Sequence, residues 1–277
     1  PDQPAPGGQT DCIQMGDDEA NTMIFDHISM AWGNDENFDV YGANTITLQW
    51  STIEESDPTQ HPKGAHNFAM IIAATGSGSA SVHHNLFTHH YRRTPCLAPY
   101  SGNGEFVCNV AYNCEGGYAT DGHGVNITGD LNLYNNYYAR GPNCMDNLYP
   151  YALTNGVDHY VEDVYFENWG YQDHPCEWIP DWLPDGGPDW IQYNASGDRI
   201  YTAATCSDYP VTTETALSAY DSVRESAGAW PRDRITKANV NDVNDGTGAW
   251  RRTGPASPSS AWFMDGLTAG SAPADND

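Results

Sequence analysis

Ser81-Val82-His83-His84-Asn85-Leu86-Phe87 alternates apolar and polar side chains at its start and carries an asparagine in its second half. Alternation with a period of two marks a half-buried strand. Runs of the same kind recur along the chain: Ile24 to Trp32, Thr45 to Ile53, Ala80 to Thr88, Glu105 to Asn113, Asp130 to Tyr138 and Asp163 to Trp169. Their uneven spacing, about 20 to 35 residues, fits a solenoid whose coils share a strand frame and differ in their loops. Several place asparagine at one point, as in His84-Asn85-Leu86, Cys108-Asn109-Val110, Tyr134-Asn135-Asn136 and Glu167-Asn168-Trp169. In a parallel β-helix, asparagines stacked at a bend bond from coil to coil and satisfy backbone groups that the turn leaves unpaired. A β-sandwich with asparagines scattered through its turns is the other architecture this pattern allows.

Outside the repeats the chain divides by composition. Residues 1–10 are rich in Pro, Gly and Gln and read as a linker or the edge of a larger domain, so order is expected from Asp11 to about residue 247. The segment Trp178 to Tyr209 has little periodicity and reads as long loops. One helix is predicted, Thr213 to Ala227: Thr212 or Thr213 caps it, Ala216, Leu217, Tyr220 and Val223 form an apolar stripe, and Gly228 stops it. Its expected place is over an end of the β stack, where open strand edges invite pairing. Residues 248–277 form a Ser, Pro and Asp-rich tail.

The formal charge is -26, and Lys63 and Lys237 are the two lysines among 11 basic residues. Phosphate binding needs a basic footprint, so nucleic acid is excluded as a partner. Acidic residues run from end to end, as on the solvated surfaces of halophilic acidic proteins, where salt screens the self-repulsion. No run of apolar residues is long enough to span a membrane. Seven cysteines show no zinc-like spacing; with the glycosylation acceptors Asn126-Ile127-Thr128 and Asn194-Ala195-Ser196 they point to a secreted, extracellular glycoprotein held by disulfides. The odd count leaves Cys12 as the expected unpaired thiol. The start, Pro1-Asp2-Gln3-Pro4, points to a longer precursor.

The chemistry concentrates between Asp11 and Pro95. Strand stacking can bring Asp11, Asp35 and Asp39 to one edge of successive coils, where clustered carboxylates suit a hard cation such as calcium; chance proximity in so acidic a chain is the alternative. Lys63 and Arg93 near such a site are electrostatically costly unless an anionic ligand sits between them and the metal. His66, His83, His84, His89 and His90 read as groove-lining or bend-stacking polar residues rather than ligands of a transition metal.

Taken together these residues resemble the pectate lyase family, within the right-handed parallel β-helix polysaccharide lyases. The matching pieces are Asp26-His27 after a strand, Asp35 to Asp39 followed by Gly42-Ala43-Asn44, the run Lys63-Gly64-Ala65-His66, and His83-His84-Asn85 leading into Arg93-x-Pro95. Near the C-terminus, Ala219 to Val223 and Ala227 to Asp233 resemble the closing segment of bacterial members, so the resemblance covers about residues 9 to 247. It implies an all-β, pectin-lyase-like solenoid with one short C-terminal helix and long loops. It further implies calcium on Asp35, Asp39 and Asp11, substrate binding by Lys63, and Arg93 as the base that takes the C5 proton of pectate or another polyuronate in a β-elimination. Many relatives carry a second arginine just after the Arg-x-Pro motif, where this chain has Cys96-Leu97-Ala98; Arg92 is the expected substitute. The N-terminal coils of relatives are missing, so a further segment or partner chain is expected to complete the solenoid. A β-helix without catalysis, serving as an extracellular carbohydrate-binding or structural assembly component, is the rival function, and a hydrolase with paired carboxylates is a third.

Overall fold

The computed structural model describes residues 9–16, 21–42, 44–56, 61–62, 66–75, 78–97, 102–114, 118–121, 129–144, 149–152, 158–167, 170–172 and 211–249. They form a parallel β-helix with three faces. The first sheet stacks β1 (Ile13–Met15), β4 (Phe38–Gly42), β7 (Met70–Ala74), β10 (Cys96–Leu97), β13 (Tyr118–Asp121) and β16 (Tyr149–Ala152). The second stacks β2 (Thr22–Asp26), β5 (Thr45–Gln49), β8 (Ser79–His83), β11 (Asn103–Val107), β14 (Asp130–Tyr134) and β17 (Asp158–Glu162). The third stacks β3 (Ser29–Ala31), β6 (Thr52–Glu54), β9 (Leu86–Thr88), β12 (Val110–Tyr112), β15 (Tyr137–Ala139) and β18 (Val164–Phe166), and ends on β19 (Gly170–Gln172), which pairs antiparallel.

Register turns sequence repetition into a core. Phe25, Leu48, Val82, Phe106 and Leu133 occupy one row of the second sheet, each opposite the next. Met30, Ile53, Phe87, Ala111, Tyr138 and Phe166 form the matching row of the third. These side chains meet inside the solenoid in one hydrophobic cluster, and each fully buried one contributes about 1.5 to 3 kcal/mol.

Five of the six runs read as a strand hold parts or the whole of two strands divided by a bend between the second and third sheets, and the sixth, from Asp163, starts at that bend. His27, Trp50, His84, Cys108, Asn135 and Asp163 hold that corner with φ between 47° and 57°, a left-handed conformation that costs a residue with a side chain about 1 to 2 kcal/mol. What offsets the cost is the residue that follows. Asn85 Oδ1 accepts from Ser51 N, Asn109 Oδ1 from Asn85 N, and Asn136 Oδ1 from Asn109 N, each at 2.9 Å. Their amide groups donate to the carbonyls of Leu48, Val82 and Phe106 at 2.7–2.8 Å. Ser51 continues the ladder, its hydroxyl accepting from Ile28 N at 3.1 Å. The ladder expected at Asn85, Asn109 and Asn136 is therefore present, while Asn168 lies outside the described residues.

Two helices lie among the described residues, where one was expected. Helix α1 (Ala216–Ser226) is capped by Thr215, not Thr212 or Thr213, and α2 (Arg234–Asp245) is capped by Asp233, whose carboxylate accepts from Thr236 N at 2.8 Å. Neither closes an end of the stack: Ala216, Val223, Val240 and Val243 pack on Leu86, Val110, Tyr112 and Tyr137, along the flank of the third sheet. Leu217, expected in the apolar stripe, is 44% exposed. Gly228 takes φ +93 between Ser29 and Thr52, an approach that a side chain would obstruct.

The second helix is held by a buried polar network. Thr236 Oγ1 and Asn239 Nδ2 donate to Glu54 at 2.6 and 3.1 Å, and Asn239 also reaches Glu55 at 3.3 Å. Burial pushes the Glu54 carboxyl up to about 7, with the donated bonds opposing the shift. The five described cysteines, Cys12, Cys96, Cys108, Cys114 and Cys144, are free thiols. The disulfide framework read from the cysteine count is thus absent among them, and packing and ladders hold this part of the stack instead; Cys176 and Cys206 lie outside the described residues. No helix among the described residues is long and apolar enough to cross a membrane.

Asn109→Ala removes a side chain that donates to Val82 O and Asn136 Oδ1 and accepts twice from Asn85. At about 1 kcal/mol per bond, with Asn85 N left unsatisfied, denaturant unfolding should show a loss of about 3 kcal/mol or more; a loss below about 1 kcal/mol would contradict the ladder's role. Glu54 yields a second expectation. Its folded pKa lies above its ordinary 4.5, so its protonated form stabilises the fold at low pH, and that stability is lost as pH rises from 4.5 through about 7. Glu54→Gln should flatten the pH dependence over that window, by up to about 3 kcal/mol, in unfolding curves compared with the parent.

Candidate active site

Of the residues singled out from the sequence, Asp11, Asp35, Arg92 and Arg93 sit where the chain enters the first sheet, Asp39 lies within β4, and further side chains join them on four successive coils. Asp11 precedes β1, Asp35 and Glu36 precede β4, His66 and Phe68 precede β7, and Arg92 and Arg93 precede β10. Backbone bonds hold these entries in step: Ile13 N donates to Asn37 O at 3.1 Å, Asn37 N to Ala69 O at 2.9 Å, and Met70 N to Arg93 O at 2.9 Å. Residues about 25 apart in the chain thereby become axial neighbours.

The turn before β4 is built to present acids. Gly33 N donates to Asn37 Oδ1 at 2.8 Å, and a Cβ on Gly33 would fall 2.1 Å from the Glu36 carbonyl, so only glycine closes this turn. Asn37 in turn donates to Glu54 O on the third sheet. Asn34 exchanges bonds with Thr10, through Thr10 N to Asn34 Oδ1 at 2.7 Å and Asn34 N to Thr10 O at 2.9 Å, which ties the turn to the preceding coil.

Asp11, Glu36 and Asp39 converge, one carboxylate oxygen from each lying within 4.8 Å of the others. Asp11 accepts from Glu36 N at 2.8 Å, and Asp39 accepts from Gln14 Nε2 at 3.2 Å. Arg93, at φ 61°, sends its guanidinium over the Phe68 ring, 4.3 Å from the centroid, and onto Glu36 as an ion pair. Burial and the neighbouring charge of Asp35 push the Asp11 carboxyl up to about 7, with Arg93 opposing them. Asp11 therefore holds its proton to near neutrality, chiefly because burial disfavours its charged form. Hard oxygen donors grouped in this way fit a calcium ion, which takes six to eight oxygens, and an ion there would replace that proton.

Asp11 and Asp39 are therefore brought together and Arg93 reaches their cluster. Asp35 is not in it: its carboxylate groups with His61 and His66. Glu36 stands in its place, a residue that a four-residue spacing between aspartates passes over. The nearest sequence signal was the turn from Gly33 to Asn37, which carries both acids. Phe68, the surface under the guanidinium, and His61 were also missed. Arg92 is half-buried and bridges Phe68 in parallel. Lys63 lies outside the described residues. Cys96, the residue that follows the Arg-x-Pro motif, is fully buried in β10, where a charged side chain would be costly. His83 and His90 are buried, which pushes each imidazole down to about 3, so both are neutral supports of the wall.

No protein-family profile matches the chain. Among curated proteins, probable pectate lyase C of Neosartorya fischeri is 33% identical over 168 residues, covering 58% of this chain and 36% of that protein. Probable pectate lyase C of Aspergillus terreus is 34% identical over 159 residues, covering 54% and 33%. The chain thus spans about a third of the length of these relatives. The solved structure of a thermostable pectate lyase aligns with a TM-score of 0.49 at 15% identity, covering 74% of this chain and 51% of that one. Over more than half of its length the chain is similar to fungal proteins named as pectate lyases, and the family resemblance carried by its motifs is to the pectate lyases.

Proposed function

We propose that this chain is the β-helical part of a secreted, calcium-dependent lyase that cleaves pectate or a related polyuronate by β-elimination. The observation that carries the reading is the approach of Arg93, the arginine of the Arg-x-Pro motif, to the carboxylates of Asp11, Glu36 and Asp39 from two or three coils away in sequence. Asp11, Glu36 and Asp39 would hold the calcium. When bound, the ion supplies positive charge beside the uronate carboxylate and so makes the hydrogen at C5 more acidic.

The chain's own groups do the rest. Lys63 and Arg92 bind the acidic sugar. Arg93 accepts the C5 proton, the C5–H electron pair becomes the C4–C5 double bond, and the pair of the C4–O bond leaves with the glycosidic oxygen, which is protonated by solvent. A guanidinium serves as a base only where a cationic, poorly hydrated setting favours its neutral form. Phe68 removes water from one face of Arg93. Glu36, paired with Arg93 here, is the carboxylate on which metal and guanidinium compete, so cation binding weakens the hold that keeps the arginine charged.

On polygalacturonate with calcium, ultraviolet absorbance should report unsaturated product, and Arg93→Ala should lower the rate at least about a hundredfold. New reducing ends without that absorbance would replace this reading with hydrolysis, and polymer binding without either product would replace it with a carbohydrate-binding role. Calorimetric calcium titrations should separate the acids. Glu36→Gln and Asp39→Asn should each weaken binding by at least about tenfold, and Asp35→Asn by much less; the reverse order would return Asp35 to the calcium set.

A further inference from the structure

Next to the carboxylate cluster, and sharing none of its side chains, stand Asp35, His61 and His66, with one ligating atom from each within 4.8 Å of the others. His61 Nε2 lies 3.4 Å from Asp35 Oδ2, and the His61 side chain is wholly shielded from solvent. The His61 and His66 rings stack, centroids 3.5 Å apart at 28°, and Phe68 meets His66 edge-on at 4.7 Å. We propose that Asp35, His61 and His66 form a second metal site, for a borderline first-row divalent cation of the Zn2+ class, distinct from the oxygen-only cluster beside it.

Ligand chemistry separates the two sites. Asp11, Glu36 and Asp39 offer oxygen alone and favour a hard ion, whereas two imidazoles and one carboxylate are the donor set that zinc and its neighbours take. The plain alternative is a pair of packed histidines, and burial weighs against it. His61 is wholly shielded and His66 half-buried beside one carboxylate, and one divalent ion would take a ring nitrogen from each with its charge half neutralised by the acid. An outer support is already built, since Gln9 Nε2 donates to Asp35 Oδ2 at 2.7 Å and so orients the carboxylate. The site would join the turn before β4 to the segment before β7. His61 and His66 also flank Lys63 in the chain, so the ion would fix both ends of the span that carries the proposed substrate lysine, a consequence that rests on the lyase reading while the site itself does not.

The test is Zn2+ binding to the full chain in the presence of saturating calcium and without polysaccharide, by equilibrium dialysis with metal analysis. One equivalent is expected, with affinity at least tenfold weaker in His66→Gln and in Asp35→Asn and within about threefold of the parent in Asp39→Asn. His66 is half-buried, so its replacement leaves the fold standing; with Co2+ in the unaltered chain, proton spectra should in addition show hyperfine-shifted, exchangeable imidazole N–H signals. Absence of zinc binding under calcium, absence of those signals, or a fall in Asp39→Asn equal to that in His66→Gln would overturn the proposal, the last by placing the ion on the acidic cluster. No polysaccharide enters the measurement, so failure of the lyase reading leaves its outcome unchanged.

Discussion

Everything in this molecule depends on the coil-to-coil hydrogen bond at the bend between the second and third sheets. A left-handed corner made of residues with side chains is costly, and six of them stacked would add about 6 to 12 kcal/mol of unfavourable backbone energy. Ser51, Asn85, Asn109 and Asn136 offset this by turning the unpaired backbone groups of each corner into partners for the next coil. A cost borne separately by each coil becomes a contact between coils, which also fixes their register. Once register is fixed, the apolar rows fall into line and the entries to the first sheet do too.

That alignment is why the site exists at all. No two of Asp11, Glu36 and Arg93 are near in sequence, yet a ladder advancing one strand spacing per coil, about 4.8 Å, puts their backbones within side-chain reach. It also gives the site its mixture of charge. One coil contributes Asp11, the next Glu36 and Asp39, the third Phe68 and the fourth Arg93, so acids and cation start from separate coils and the guanidinium reaches Glu36 across the aromatic ring. A loop-built site has to order its segments for this purpose, whereas here the order comes from the sheets.

The strand frame and the ladder were legible because they follow a local rule: alternation of two, then an asparagine. What stayed hidden was anything decided by direction rather than position. Asp35 and Glu36 are adjacent acids on one turn, and the bond from Gly33 N to Asn37 Oδ1 helps set which of them joins Asp39. Helix α1 was readable from its stripe, but where it would pack was not, because a flank and an end ask for the same apolar face. Helix α2 carries only Ile235, Val240 and Val243 as buried large aliphatic residues and is held by Glu54 and Glu55 through Thr236 and Asn239, a polar attachment that hydrophobic periodicity does not register. The cysteines misled for a related reason. Their number argued for crosslinks, yet Cys96, Cys108 and Cys114 are used as small buried side chains.

The charge of the chain sets the last constraint. A polyanion approaching a protein of formal charge -26 meets repulsion over most of the surface, and at moderate ionic strength that repulsion decays over about 10 Å. Attraction must therefore be local and short in range. Arg92 and Arg93 stand together on one coil, in a chain whose cations are sparse, and on the proposed lyase reading they and Lys63 would supply it. Burial and the charge of Asp35 push the neighbouring Asp11 carboxyl up, with Arg93 opposing the shift. On the proposed lyase reading, a divalent ion on Asp11, Glu36 and Asp39 would lessen the repulsion where an acidic sugar has to come close, so cation first and polymer second is the order that electrostatics favours.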